Sequence, residues 1–382
     1  MKPHRHGLVL GKFYPPHRGH HFLVRQAAAG CERTTVLVMA SSWESIGLAE
    51  RVAWMREVHA EDPGVTVLGV PDDAPVDYGD HAVWDAHVAL VEETLTVHGR
   101  GPVDAVYSSE PYGEELARRL GARAVTVDPE RLRHPVSGTA CRADLAARWD
   151  DLHPVVRAGL AARVVVVGAE STGTTTISRW LAEHFRARGG VWARTAWVPE
   201  YGREYTALKW DRARATARAE GRPEPALEDL VWTAEDFARI AAEQTRQEEK
   251  AAREGSPLVV CDTDAFATAV WEHRYTGRTS AETLAWAGER LPRRDVYLLT
   301  DHTGVPFVQD GLRDGEHVRA DMTGWFRRRL TEAGHSWVLL RGDLEERCAL
   351  AARTCELVLA RRLRLGEPLP QSGDVATLTP RG

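Results

Sequence analysis

The 382-residue chain is predicted to fold as two successive α/β domains, each built on a doubly wound parallel sheet. Three observations predict this. Short apolar, β-rich runs alternate with stretches of helical periodicity. The series restarts after the joint "RWDDLHPVVRAGLA", residues 148–161. Near the start of each series a glycine-bearing loop stands at a strand-to-helix junction, where such sheets bind ligands.

The first series opens with strand "GLVLGKF" and helix "HHFLVRQAAAG", continues through strands "TTVLVMAS", "VTVLGVP" and "DAVYSSE", and closes with helix "GEELARRLG" and strand "ARAVTVD". This domain is expected over residues 1–155. The second, over 161–365, has strands at "ARVVVVG", "PLVVCDTD", "DVYLLTD" and "SWVLLRG". Its helices follow "GTTT" and cover "WTAEDFARIAAEQTRQEEKAARE" and "LEERCALAARTCELVLARRL". Parallel strands are buried on both faces, and these runs are apolar enough for that. The polar, Pro-containing end "GEPLPQSGDVATLTPRG", 366–382, reads as a flexible, mobile tail. No internal repeat is visible.

Apolar residues make up 43% and charged residues 27%, a globular balance without signs of long disorder. A formal net charge of -6 argues against a general nucleic-acid binder, which would carry a basic excess. The 5 cysteines lack C-x-x-C spacing and read as reduced thiols rather than a disulfide framework or zinc site. No segment approaches the roughly eighteen apolar residues a membrane span needs, and the N-terminus lacks a signal-peptide core. A soluble cytoplasmic protein is expected, with no membrane partner; self-association is left open. The only lysines are Lys2, Lys12, Lys209 and Lys250, so phosphate chemistry must lean on arginine.

The first informative loop is G-K-F-x-P-x-H-x-G-H over Gly11 to His20, containing Gly11, Lys12 and Phe13. His17 and His20, three apart, fall on one side of a first helical turn, and Gly19 lets a phosphate approach the backbone. The helix start adds free N–H groups and positive dipole, so a nucleotide anion suits it. A second phosphate element is "PVSGTACR", where the Ser137 and Thr139 hydroxyls and Arg142 could hold the same anion.

In the second half, "GAESTGTTT" spans Gly168 to Thr176 between a strand and a helix. It fits the phosphate-loop pattern G-x-x-x-x-G-K-[ST] except that Thr174 replaces the lysine. The cradle of Gly168, Glu170, Ser171, Thr172, Gly173, Thr174, Thr175 and Thr176 depends on backbone N–H groups, and Thr175 keeps the position that contacts Mg2+. Asp262 and Asp264 close an apolar strand, suiting a Mg2+ ligand or a base. "VQDGLRDGEHVR" resembles a lid, with Arg313 and Arg319 as replacements for the missing lysine charge. The alternative is a loop that binds nucleotide without turning it over.

These residues resemble the HxGH nucleotidyltransferase superfamily, with "PVSGTACR" similar to its late S-x-T-x-x-R element. Over nearly its whole length the chain resembles the NadR type, a nicotinamide mononucleotide adenylyltransferase fused to a ribosylnicotinamide kinase. The resemblance implies ATP, nicotinamide mononucleotide, nicotinamide riboside and NAD as ligands, with Mg2+. It implies catalytic roles for Lys12, His17, His20 and Arg142, and ring stacking by Trp84 of "HAVWDAHV". It offers Arg51, Ser108 and Glu110 near the first substrate. In the second domain it offers Glu200 and Arg203 of "VPEYGREY", with Trp232, Trp271 and Tyr275 as aromatic partners for a pyridinium ring. An HxGH enzyme for another phosphorylated acceptor, carrying a nucleotide-sensing second domain, is the alternative. A DNA-binding helix-turn-helix ahead of the first strand, near Gly7, is not expected, so no DNA partner is either.

Overall fold

The computed structural model describes residues 2–309, 315–375 and 378. The chain divides into two compact units, one of residues Met1–Gly159 with Leu363–Gly382 and one of Leu160–Arg362. Both are α/β with parallel sheets, as the alternation of apolar runs and helices predicts.

In the first unit, strands β1 (His4–Gly11), β2 (Cys31–Ala40), β3 (Val65–Pro71), β5 (Ala105–Ser108) and β6 (Arg123–Thr126) form one sheet in the order β3-β2-β1-β5-β6. Every neighbouring pair is parallel. The chain winds outward from β1 to β3 and then returns to place β5 on the other side of β1. The carboxyl ends of β1 and β5 therefore flank the switch point, where ligands enter such sheets. A short strand β4 (Val76–Asp77) lies outside this sheet. Helices α1 (Arg18–Gly30), α2 (Leu48–Val58), α3 (His81–Val97), α4 (Tyr112–Arg119), α5 (Gly138–Ala143) and α6 (Pro154–Leu160) accompany the sheet. One apolar cluster joins Val9, Val24, Val36 and Met55; another joins Leu8, Leu37, Val91 and Leu116.

In the second unit, β7 (Ala162–Gly168), β8 (Ala196–Val198), β9 (Leu258–Asp262), β10 (Val296–Thr300) and β11 (Trp337–Leu340) form a sheet in the order β11-β10-β7-β9-β8. Its pairs are also parallel. All of β7, β9 and β10 is buried, matching their unbroken apolar runs. Around them run α7 (Thr174–Arg186), α8 (Tyr201–Ala219), α9 (Ala234–Glu254), α10 (Ala265–Thr276), α11 (Ala281–Ala287), α12 (Arg319–Glu332) and α13 (Leu344–Arg362). Among the described residues no helix is long and apolar enough to cross a membrane.

The polar C-terminal stretch contributes an ordered element. A last strand, β12 (Gln371–Ser372), pairs in parallel with β4 of the first unit.

Candidate functional site

In the first unit, β1 ends at Gly11, and Phe13 takes a positive φ of 47° that turns the chain toward α1. His17 caps α1 with extended backbone, and its carbonyl accepts from the N–H groups of His20 (2.9 Å) and His21 (3.2 Å). This spacing stacks the His17 and His20 rings, centroids 3.6 Å apart and planes 21° apart. Phe13 meets His20 edge-on at 5.0 Å.

Burial first, then His21, Arg131 and His134, push the His17 pKa down to about 3. Burial, His17 and Arg131 lower that of His20. Both rings are therefore neutral near pH 7, each with one N–H to donate. The buried Nδ1 of His17 has no hydrogen-bond partner among the described residues, and neither does Nε of Arg142. Such orphaned groups, costly in an empty site, suit one that receives an anion.

A cavity of about 820 Å³ opens here, lined by Gly11, Lys12, Phe13, His17, Gly19 and His20 and also by Trp84, Ser108, Glu110, Ser137, Thr139 and Arg142. Its volume lies within the usual range for ligand pockets. Lys12 faces Glu44 at 3.4 Å. Arg142 donates to the Tyr14 carbonyl at 3.0 Å and the Thr139 hydroxyl at 3.2 Å. Ser137 caps α5 by accepting from Ala140 N at 3.0 Å, leaving its O–H free to donate. Trp84 is largely core, its Nε1 donating to Tyr78 O at 3.0 Å, yet it reaches the cavity wall. The Ser108 hydroxyl accepts from Glu110 N at 3.0 Å, and Glu110 pairs with Arg131.

Arg51 does not reach the cavity. It is fully buried: Nη1 lies 2.6 Å from Glu44 and donates to Lys12 O at 2.9 Å, while Nε donates to Ile46 O at 2.9 Å. It braces the loop from behind instead of meeting a nucleotide. Sequence reasoning missed Arg131, which lines the cavity at a positive φ of 53° in a turn fixed by Asp128. No spacing motif marks it; only its charge, a few residues before Ser137, could have.

In the second unit, the loop after β7 turns through Ser171 (φ 57°) and Gly173 (φ 92°) into α7. A side chain at Gly168 would collide with the Thr300 and Thr172 hydroxyls, so only glycine fits. Thr172 donates to Ala169 O at 2.7 Å and bonds the Thr300 hydroxyl at 2.6 Å, whereas Thr176 is exposed. The Thr175 hydroxyl donates to Asp262 at 2.5 Å. Burial raises the Asp262 pKa against hydrogen bonds from Thr175 and Thr174 and the charges of Arg179 and Arg203. Among the described residues no cluster of three or more His, Cys, Asp or Glu is set to hold a metal.

Arg319 is buried at the loop, donating to Ser171 O and Val305 O, both at 3.0 Å, and its Nε has no partner among the described residues. Arg313 lies outside the described residues. Arg347, not foreseen, is buried and donates to Thr172 O at 3.3 Å and Asp301 O at 2.8 Å. Glu170 is paired with Arg274 at 3.4 Å. Glu200 stands at the cap of α8, with Arg203 exposed in its first turn. Trp232 and Tyr275 are neighbours at 5.6 Å, Trp271 lies 6.4 Å from Tyr275, and Lys209 lies 5.1 Å over Trp232.

Asp264 is a correction. It is fully buried, caps α10 through Ala267 N at 2.9 Å, and accepts from Arg294 at 2.9 Å and Tyr297 at 2.7 Å. Its carboxylate is absorbed by structure and does not face a ligand.

Each unit thus carries a loop at the carboxyl end of its first strand, H-R-G-H in the first and G-A-E-S-T-G-T-T in the second. A protein-family profile described as an AAA domain matches residues 163–347. The trifunctional NAD biosynthesis/regulator protein NadR of Salmonella typhimurium is 25% identical over 319 residues, covering 80% of this chain and 71% of that protein. NadR of Escherichia coli is 25% identical over 320 residues, with the same coverage. A crystal structure of NadR protein in complex with NR superposes with a TM-score of 0.60 at 21% identity, covering 93% of this chain and 96% of that one. A NadR structure in complex with NAD and AMP-PNP gives 0.60 at 20%, covering 95% and 98%. The likeness to NadR thus extends over 80% of this chain in sequence and over both units in fold.

Proposed function

We infer that the chain is a bifunctional enzyme of NAD biosynthesis, adenylylating nicotinamide mononucleotide in its first unit and phosphorylating nicotinamide riboside in its second. The observation that carries this reading is the coincidence, on one chain homologous to NadR, of a stacked histidine pair with an unpartnered buried nitrogen and an intact phosphate-loop cradle.

In the first unit the 5′-phosphate of the mononucleotide attacks the α-phosphorus of ATP in line. An O–P bond forms as the bond to the β-phosphate oxygen breaks, and pyrophosphate leaves. No covalent enzyme intermediate is needed, so catalysis is positioning and charge neutralisation. The N–H of the neutral His17 and His20 and the cations Lys12, Arg131 and Arg142 supply that neutralisation, while Trp84 borders the acceptor ring. In the second unit the N–H groups of residues 168–175 cradle the β- and γ-phosphates. Arg319 supplies charge that Thr174 lacks. Asp262 and Thr175 are a fitting donor pair for Mg2+, which takes few protein ligands alongside substrate phosphates and, when bound, neutralises phosphate charge. Trp232 and Tyr275 border the riboside.

The test is NAD formation from ATP and the mononucleotide by wild type and His20→Ala. Wild type makes NAD, and the variant loses on the order of 10²–10³ in kcat with a smaller change in KM. Equal rates would remove the histidine pair from the chemistry.

A further inference from the structure

The segment "LGEPLPQSG", residues 365–373, is polar and holds two prolines, a composition that predicts no packing role. The structure fastens it to the first unit at three places. Leu365 is buried, and Gly366 donates from its N–H to the Ser45 hydroxyl at 2.9 Å. Its carbonyl accepts from Tyr14 O–H at 2.8 Å. Tyr14 is the residue whose carbonyl holds Arg142 at 3.0 Å.

At the other end, Gln371 pairs with Val76 and Ser372 with Asp77. Tyr78 N donates to Ser372 O at 2.9 Å, and the Ser372 hydroxyl donates to Asp77 at 2.9 Å. Gly373 follows with a positive φ of 70°, and a side chain there would collide with Asp77 Oδ1 and the Gly79 backbone. Val375 and Leu378 then pack on the cluster that contains Trp84. Between these fastenings, Glu367 to Gln371 line the same cavity as His17, Trp84 and Arg142.

We propose that residues 367–371 are a wall of the first unit's nucleotide site and set its preference for a flat, cationic acceptor ring. This rests on the adenylyl-transfer reading above. The strand that anchors the wall joins β4 immediately before Tyr78, whose carbonyl orients Trp84. That places the wall on the acceptor side. Pro368 and Pro370 fix their own φ angles, so holding this segment still costs little chain entropy. Glu367 lines the cavity with Asp72 and Asp77, a sign of charge that favours a pyridinium over a ring bearing its own carboxylate.

The test uses the full chain. Gly373→Val removes the one residue type that fits the turn after β12. Hydrogen exchange at the Tyr78 amide reports release of the strand, and riboside phosphorylation in the same polypeptide reports intact folding of the other unit. The expected result is a rise of about tenfold in KM for nicotinamide mononucleotide with riboside phosphorylation unchanged. Glu367→Gln, which leaves the anchors alone, is expected to narrow the preference for this mononucleotide over nicotinic acid mononucleotide by about threefold or more. A released strand with unchanged acceptor KM overturns the wall. If Gly373→Val loses both activities, an unchanged preference in Glu367→Gln overturns it instead. Wild type that makes no NAD from mononucleotide sinks the underlying reading and the wall with it, an outcome distinct from the other two.

Discussion

Thr174 sits where a phosphate loop carries lysine, and we propose that arginines remote in sequence meet that loss. Thr175 donates to Asp262, which ties the residue after Thr174 to that carboxylate. Arg319 and Arg347 each donate to a loop carbonyl, which brings their guanidinium groups to the loop. Arg319→Ala is expected to lower the kcat of riboside phosphorylation by on the order of 10² while NAD formation from mononucleotide persists at the wild-type rate. Steady-state rates for both reactions on the same preparation check this, and an unchanged phosphorylation rate would assign Arg319 to loop structure alone. The candidate ligands inside motifs were legible: the Gly11 to His20 pattern, Ser137 to Arg142 and the loop glycines. Arg131, Arg347, Arg51 and Asp264 were not. Their roles depend on partners distant in sequence, such as Tyr297 for Asp264, and no local spacing records such pairings.

At the scale of elements, long buried strands were readable because burial on both faces demands unbroken apolar runs, as in "RVVVVG" and "PLVVC". The three-residue β8 and the two-residue β4 and β12 carry too few residues for any period to register. Helix α3, from His81, starts at an Asp80 cap whose side chain accepts from Ala82 N, a start signal that stood unused in the sequence. Behind β9 a buried group of Glu248, Arg294 and Asp264 puts two carboxyls on one guanidinium, with contacts of 2.5 and 2.9 Å. Burial raises the Glu248 pKa from 4.5 to about 7, with Asp264 adding to the effect and Arg294 opposing it. A raised folded pKa means the folded state binds the proton more tightly. The associated stability is fully present below the unfolded value of 4.5 and is lost as pH rises toward about 7. Thermal unfolding should therefore show the wild type losing stability relative to Glu248→Gln as pH rises from about 4.5 to about 7. A constant difference across that range would mean that Glu248 is ionised throughout.

For the whole molecule, two parallel-sheet units with one nucleotide loop each account for both halves of a synthesis, and the product of the second unit is the substrate of the first. The order of domains was plain in the sequence because the strand series visibly restarts. The return of the C-terminal segment to the first unit was not, since a two-residue ladder formed by polar Gln371 and Ser372 looks like any loop. The central claim is that one chain performs both reactions, with Thr174 tolerated in the phosphate loop. The direct test supplies nicotinamide riboside and Mg-ATP alone to the purified full chain and resolves ADP, nicotinamide mononucleotide and NAD over time. Riboside-dependent ADP, followed by mononucleotide and then NAD, is the predicted result. NAD from added mononucleotide but no ADP or mononucleotide from riboside would contradict it and leave the second unit a nucleotide-binding domain without turnover.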